Sequence, residues 1–139
     1  MADEPGGLGT VLLVEDEPIV ALVAQQVLEE HGFHVTVAPH GEAALSQART
    51  AFTKQNAPSV FVLAVIDVGL PDISGVMVAH QIRSMAPSLP IIIASGHAAD
   101  ELEQEFQNFE TIALLSKPYD GASLQNALRA IGFAVVDLG

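Results

Sequence analysis

The chain has 139 residues, half of them hydrophobic, with seventeen acidic and five basic side chains, a net charge of −12 and no cysteine. That length suits one domain with a real core, and the missing cysteine excludes disulfides, zinc–thiolate sites and thiol catalysis. Arg49, Lys54, Arg83, Lys117 and Arg129 are too scattered to displace counterions from a phosphate backbone, so direct nucleic-acid binding is not expected.

The first nine residues, within MADEPGGLGT, read as an acidic, flexible leader without the basic and apolar regions of a secretory signal. Strands are expected near 11–15, 33–37, 60–66, 91–94 and 111–115, where VLLVED, VFVLAVID, IIIAS and IALLSK mark four of them. The first helix, 18–30, puts Ile19, Val20, Val23, Val27 and Leu28 on one stripe and stops at the C-cap signal His31-Gly32. A second, Ala-rich helix covers about 41–52, and a third, 75–85, groups Val78, Ile82 and Met85 ahead of Pro87. The fourth, about 98–108, is acidic, with Leu102, Phe106 and Phe109 as its apolar face, and reads by itself as a solvated surface helix. The fifth, about 120–131, has Leu124, Ala127, Leu128 and Ile131 at helical spacing and Asp120 as N-cap, and 132–139 form a tail. The longest apolar run, 60–66, falls far short of the roughly 20 residues of a membrane helix, so a cytoplasmic location with no membrane partner is expected.

Strands bearing Val and Ile on both parities are buried on both faces, as in a parallel sheet covered by helices. Five βα units in this length fit a flavodoxin-like, doubly wound α/β sandwich with strand order 2-1-3-4-5. Ligands bind such sheets outside the carboxyl ends of the strands, where strand order reverses. Asp16, Asp67, Ser95 and Lys117 each stand where an apolar run stops, so two carboxylates, a hydroxyl and an ammonium converge on one edge. That combination points to phosphoryl and metal chemistry.

Glu15, Asp16 and Asp67 would crowd three carboxylates together, which a cation must neutralise. Mg²⁺ suits such a set, because it takes a few carboxylates and fills its other positions with water and substrate oxygens. Read singly, Glu15-Asp16 also suits helix capping before Pro18, Asp67 suits turn chemistry, and Ser95 could start a turn. Lys117 is one of only two lysines, and an ammonium there could reach a phosphoryl oxygen. His31, His34, His40 and His80 lack ligand spacing, and no Walker loop, GxGxxG or GxSxG is present.

With these residues in place, 10–131 resembles the receiver domain of bacterial two-component response regulators. The resemblance rests on VLLVEDEP, VIDVGLPDISG, IIIASGHA and LLSKPYD in that order. It implies that Asp67 is the phosphoacceptor, that Ser95 and Lys117 act on the phosphoryl group, and that Lys117-Pro118 is cis. It also implies Mg²⁺ held by Asp16, Asp67 and the Gly69 backbone carbonyl, with Glu15 acting through water. The implied partner is a histidine kinase or a histidine phosphotransfer protein, and the protein is not a turnover enzyme. An output protein or second copy is expected on the face formed by 100–131, with Leu102 or Phe106 as apolar anchor.

Two positions depart from the family's pattern. Leu114 stands where many members carry the Phe or Tyr of a hydroxyl–aromatic switch, and Gly69 and His97 flank the phosphoryl position. His97 is expected to orient the water that hydrolyses the acyl phosphate. The chain is read as a receiver without an output module, or as the excised receiver of a hybrid kinase. The rivals are a pseudo-receiver that binds without phosphorylation and a haloacid-dehalogenase-like phosphohydrolase, whose nucleophile would follow the first strand rather than the third.

Overall fold

The structure, a computed structural model, describes residues 8–53, 61–96, 99–107 and 109–133. Strands β1 (Thr10–Val14), β2 (His34–Ala38), β3 (Phe61–Asp67), β4 (Ile91–Ser95) and β5 (Ile112–Ser116) alternate with helices α1 (Pro18–Glu30), α2 (Gly41–Thr53), α3 (Gly75–Met85), α4 (Ala99–Glu105) and α5 (Gly121–Ala130). The strands form one parallel sheet in the expected order, β2-β1-β3-β4-β5.

Both faces of the central strands are covered, and the period of two decides which residue meets which layer. Leu12, Val14, Ala64, Ile66, Ile91 and Ile93 pack into a core with residues of α2, α3 and α4. Their neighbours Val11, Leu13, Leu63, Val65, Ile92 and Ala94 pack on the opposite side with α1 and α5. That two-sided burial is why these runs show no polar alternation.

Helix ends follow local chemistry. Pro18 occupies the first turn of α1, where its missing N–H costs nothing. At its other end Gly32 has φ +99°, the Gly32 amide donates to Glu29 O at 3.0 Å and the Phe33 amide to Leu28 O at 3.1 Å. This is a Schellman closure, and Gly132 repeats it after α5, with the Phe133 amide donating to Leu128 O at 3.0 Å. Asp120 caps α5 as expected, accepting from the Ser123 amide at 2.9 Å, and Ser74 caps α3 through the Val76 amide at 3.1 Å.

Three expectations are corrected. On α1 the sheet-facing stripe is Ala21, Ala24 and Leu28, with Val20 and Val27 half-buried, whereas Ile19 is 77% exposed and Leu22 and Val23 point outward. Small alanines let the helix lie close to the sheet, and their low hydropathy hides that face beside the larger aliphatics. Helix α4 stops at Glu105, because i to i+3 bonds from the Phe106 amide to Glu103 O and from the Phe109 amide to Phe106 O tighten the chain. That turn carries Phe106 inward, so Leu102 and Phe106 are both buried in the core and unable to anchor a partner. Residues 1–7 of the leader and 134–139 of the tail lie outside the described residues, as does His97.

Gly75 marks the closest backbone approach. A Cβ there would run into the Asp67 carbonyl and the Val68 Cα. Gly75→Ala is expected to lower the unfolding free energy by about 1–3 kcal/mol through overpacking, read from denaturant midpoints; an unchanged midpoint would show that α3 can retreat from β3 at no cost.

Candidate functional site

Register brings the polar strand ends together. Val14 pairs with Ile66, Asp67 with Ala94, and Ser95 with Ser116, so the residues that end β1, β3, β4 and β5 align at one edge. Backbone bonds continue past the strands: the Val68 amide donates to Ala94 O at 2.9 Å, the Lys117 amide to Ser95 O at 2.8 Å and the Glu15 amide to Ala38 O at 3.1 Å. The Lys117-Pro118 bond is cis.

Lys117 Nζ is the hub of the edge. It lies 3.2 Å from Asp67 Oδ2, 3.3 Å from Glu15 Oε1 and 3.5 Å from Glu17 Oε1. Asp67 Oδ1 accepts the Gly69 amide at 3.1 Å, and Glu15 Oε2 accepts the Glu17 amide at 3.2 Å. Glu15, Asp67 and Ser95 are buried, Lys117 is half-buried and Asp16 is exposed at the mouth. One carboxylate oxygen from each of Glu15, Asp16 and Asp67 lies within 4.8 Å of the others. With a single ammonium against three carboxylates, the set keeps a net negative charge, and its donors are all hard oxygens. It therefore fits a hard divalent cation such as Mg²⁺.

Burial pushes the Glu15 carboxyl up to about 7; the Glu17 amide opposes this, the Asp67 charge adds to it, and Lys117 draws it back in part. Burial alone would depress the Lys117 ammonium, but the Asp67 hydrogen bond and the two neighbouring carboxylates outweigh it and raise its pKa. Tyr119, half-buried beside them, is pushed up to about 12 by burial and by the Glu15 charge.

The structure thus brings together Glu15, Asp16, Asp67 and Lys117, places Ser95 on the same edge and sets Gly69 two residues past the β3 end. Among the described residues, a Cβ at Gly69 would meet Asp67 Oδ1 alone, at 3.9 Å. Leu114, half-buried, lines a groove with Glu103, Phe106 and Ile112. Sequence reasoning missed Glu17 as a third partner of Lys117, although its place at i+2 from Glu15 was a usable signal. It also missed a groove of about 360 Å³ lined by Glu17, Ile19, Val20, Val23 and the Lys117-Pro118-Tyr119 turn.

The raised Glu15 pKa has a definite sign. The folded state holds this proton from pH 4.5 to about 7 while the unfolded chain has released it, so stability is greatest below 4.5 and falls as pH rises through about 7. In metal-free protein, wild type is expected to lose on the order of 1–3 kcal/mol relative to Glu15→Gln between pH 5 and 8. Parallel denaturant titrations of the two proteins would check this, and coincident pH profiles would contradict it.

A family model for the response regulator receiver domain matches residues 11–129. Among curated relatives, the probable transcriptional regulatory protein TcrX of Mycobacterium tuberculosis is 34% identical over 136 residues, covering 94% of this chain and 54% of its own length. The transcriptional regulatory protein CreB of Escherichia coli is 36% identical over 91 residues, 66% of this chain and 36% of CreB. The chain therefore spans about half the length, or less, of these relatives. A receiver protein from Sinorhizobium medicae superposes with a TM-score of 0.75 at 28% identity, covering 88% of this chain and 93% of that one. The response regulator TrrA of Thermotoga maritima, solved in complex with Mg²⁺-BeF, does so at 0.69 and 23%, over 88% and 98%.

Proposed function

Because the chain belongs to the family of response regulator receiver domains, we propose that it takes a phosphoryl group from a phosphohistidine onto Asp67 in the cytoplasm and thereby switches the binding of a partner. The observation that carries this reading is the Lys117 ammonium bridging Asp67 and Glu15 inside an acidic trio at the sheet's carboxyl edge.

In this reading an Asp67 carboxylate oxygen attacks phosphorus, the phosphorus–nitrogen bond of the donor breaks, and its electron pair returns to the imidazole, which takes up a proton. The product is an acyl phosphate on Asp67. The Gly69 amide already holds one Asp67 oxygen in place, and Lys117 follows the charge from the carboxylate to the phosphoryl oxygens. Ser95, at the end of β4, donates its hydroxyl to the same group. Asp16, Asp67 and the Gly69 carbonyl would hold Mg²⁺, with Glu15 acting through water. Bound there, the ion supplies charge neutralisation for the incoming phosphoryl oxygens. The protein is a signalling acceptor and not a turnover enzyme.

With Mg²⁺ and acetyl phosphate, intact mass spectrometry is expected to show one hydroxylamine-labile phosphoryl increment on wild type and none on Asp67→Asn. Equal modification of the Asn variant would overturn the assignment.

The donor kinase or phosphotransfer protein approaches, in this reading, over the start of α1. Ile19, Leu22 and Val23 are all exposed there, and the groove of about 360 Å³ runs from Ile19 and Val23 to Lys117. Placing large aliphatics in water beside the site suits a partner that covers them while its histidine reaches Asp67. Ile19→Asp is expected to slow transfer from the cognate donor by tenfold or more, on the order of a hot-spot loss, while uptake from acetyl phosphate stays within about twofold of wild type. Equal loss with both donors would place Ile19 in the fold and not in docking.

A further inference from the structure

The loop from Val68 to Ser74 follows Asp67 and carries the Gly69 carbonyl, so its position sets the site. Its start is tied to β4 by the Val68 amide, and its end to Val68 O by the Gly75 amide at 3.0 Å. Its middle is held by a contact across some thirty residues of sequence. Asp72 Oδ1 accepts the Gly41 amide at 2.8 Å, and Oδ2 accepts the Glu42 amide at 2.9 Å.

We propose that Asp72 is a positioning residue for phosphoryl uptake, its carboxylate clamping the loop after Asp67 onto the first turn of α2 and so fixing the backbone at Gly69. The role rests on the phosphoacceptor reading above, because it matters only if Gly69 and Asp67 serve that chemistry.

The clamp uses donors that α2 must satisfy in any case. The first amides of a helix have no intrahelical acceptor, and the positive end of the helix favours a carboxylate. Asp72 meets two of them at once, one with each oxygen. The neighbouring Ile73 supplies the apolar half of the seat. It packs where a Cβ on residue 41 would stand, which is why Gly41 opens the helix. His40 stands beside the seat on α2's side: its Nδ1 accepts the Ala43 amide at 3.1 Å and lies 3.5 Å from Asp72 Oδ2. The Glu42 amide, with the other amides around it, also holds the Asp72 carboxyl down to about 2, so the clamp remains charged at neutral pH. Asp72 is itself exposed and is not part of the acidic trio, so its loss removes no ligand.

The test compares full-length wild type, Asp72→Ala, Asp72→Asn and Gln47→Gly. The last weakens α2 by helix propensity at an exposed position and leaves the clamp intact. Hydrogen exchange of 68–75 and the Mg²⁺ concentration giving half-maximal uptake from acetyl phosphate are measured well below the unfolding midpoint. Asp72→Ala is expected to speed exchange in 68–75 and to raise that Mg²⁺ concentration about tenfold, the usual size of a lost supporting contact. Asp72→Asn, which keeps one acceptor oxygen, falls between it and wild type, and Gln47→Gly matches wild type in both. Unchanged exchange in 68–75, or an unmoved Mg²⁺ requirement in Asp72→Ala, would overturn the proposal. So would an equal shift in Gln47→Gly, which would make the effect one of α2 stability. Wild type without Mg²⁺-dependent uptake would overturn the phosphoacceptor reading and this role with it, a result distinct from failure of the clamp alone.

Discussion

Everything at the carboxyl edge depends on one ammonium. Glu15 and Asp67 are buried beside each other, and two carboxylates so placed repel and are poorly solvated. Lys117 reaches both at 3.2–3.3 Å and takes Glu17 as a third partner. Removing one partner of a buried ion pair costs about 3–5 kcal/mol, because the remaining charge is left without solvent or counterion. The lysine is thus structural before it is functional. It holds β1, β3 and β5 together at their polar ends, and the same contacts put it within reach of any group added to Asp67.

That dual role explains how a small chemical event could be felt across the fold. In the proposed function, a phosphoryl group on Asp67 would offer new oxygens to Lys117, so the ammonium would exchange one set of acceptors for another and give the site two bonded arrangements. The ends of β4 and β5 are coupled to this exchange, because the Lys117 amide is bonded to Ser95 O. With Leu114 in β5 there is no aromatic ring at that position to swing. Leu114 instead lines a groove with Phe106, whose ring stacks on His80 at 5.5 Å and meets Phe109 at 5.0 Å.

What could be read from the chain follows from how local each cause is. The strands were legible because burial on both faces removes polar alternation, and their polar ends were legible because a parallel sheet aligns its carboxyl termini. Observed strands begin or end about one residue from their expected limits, since hydrogen-bonded pairing, not hydropathy, sets the last residue. The Schellman end of α1 and the Asp120 cap were legible for the same reason, as each lies within a few residues of its cause. The exposed face of α1 was not, because alanines signal weakly and large aliphatics claim the stripe. The inward turn of Phe106 was not, because it depends on packing against His80 and the sheet. Asp72 was hidden most fully: its partners, Gly41 and Glu42, lie thirty-one and thirty residues earlier, and nothing local distinguishes it from any aspartate in a turn.

Two buried groups, one in the site and one outside it, pull the fold's response to pH in opposite directions. Glu15 makes the metal-free fold less stable as pH rises through about 7, since its carboxyl is held protonated by burial. His31, at the end of α1, acts oppositely. It is buried, neither ring nitrogen has a hydrogen-bond partner among the described residues, and burial lowers its pKa, with Glu30 opposing and Arg129 adding to the effect. The imidazole is therefore favoured neutral, and stability is lost as pH falls below 6.5. The neutral His31 is a defect that packing imposes, whereas the protonated Glu15 is a strain that a divalent cation relieves. A cation among Glu15, Asp16 and Asp67 favours the ionised carboxylates, so it would cancel the Glu15 loss above neutrality while leaving the His31 loss untouched. The loss owed to Glu15 would then disappear when the metal is bound while the acidic loss owed to His31 stays, which ties the stability profile near neutrality to occupancy of the site.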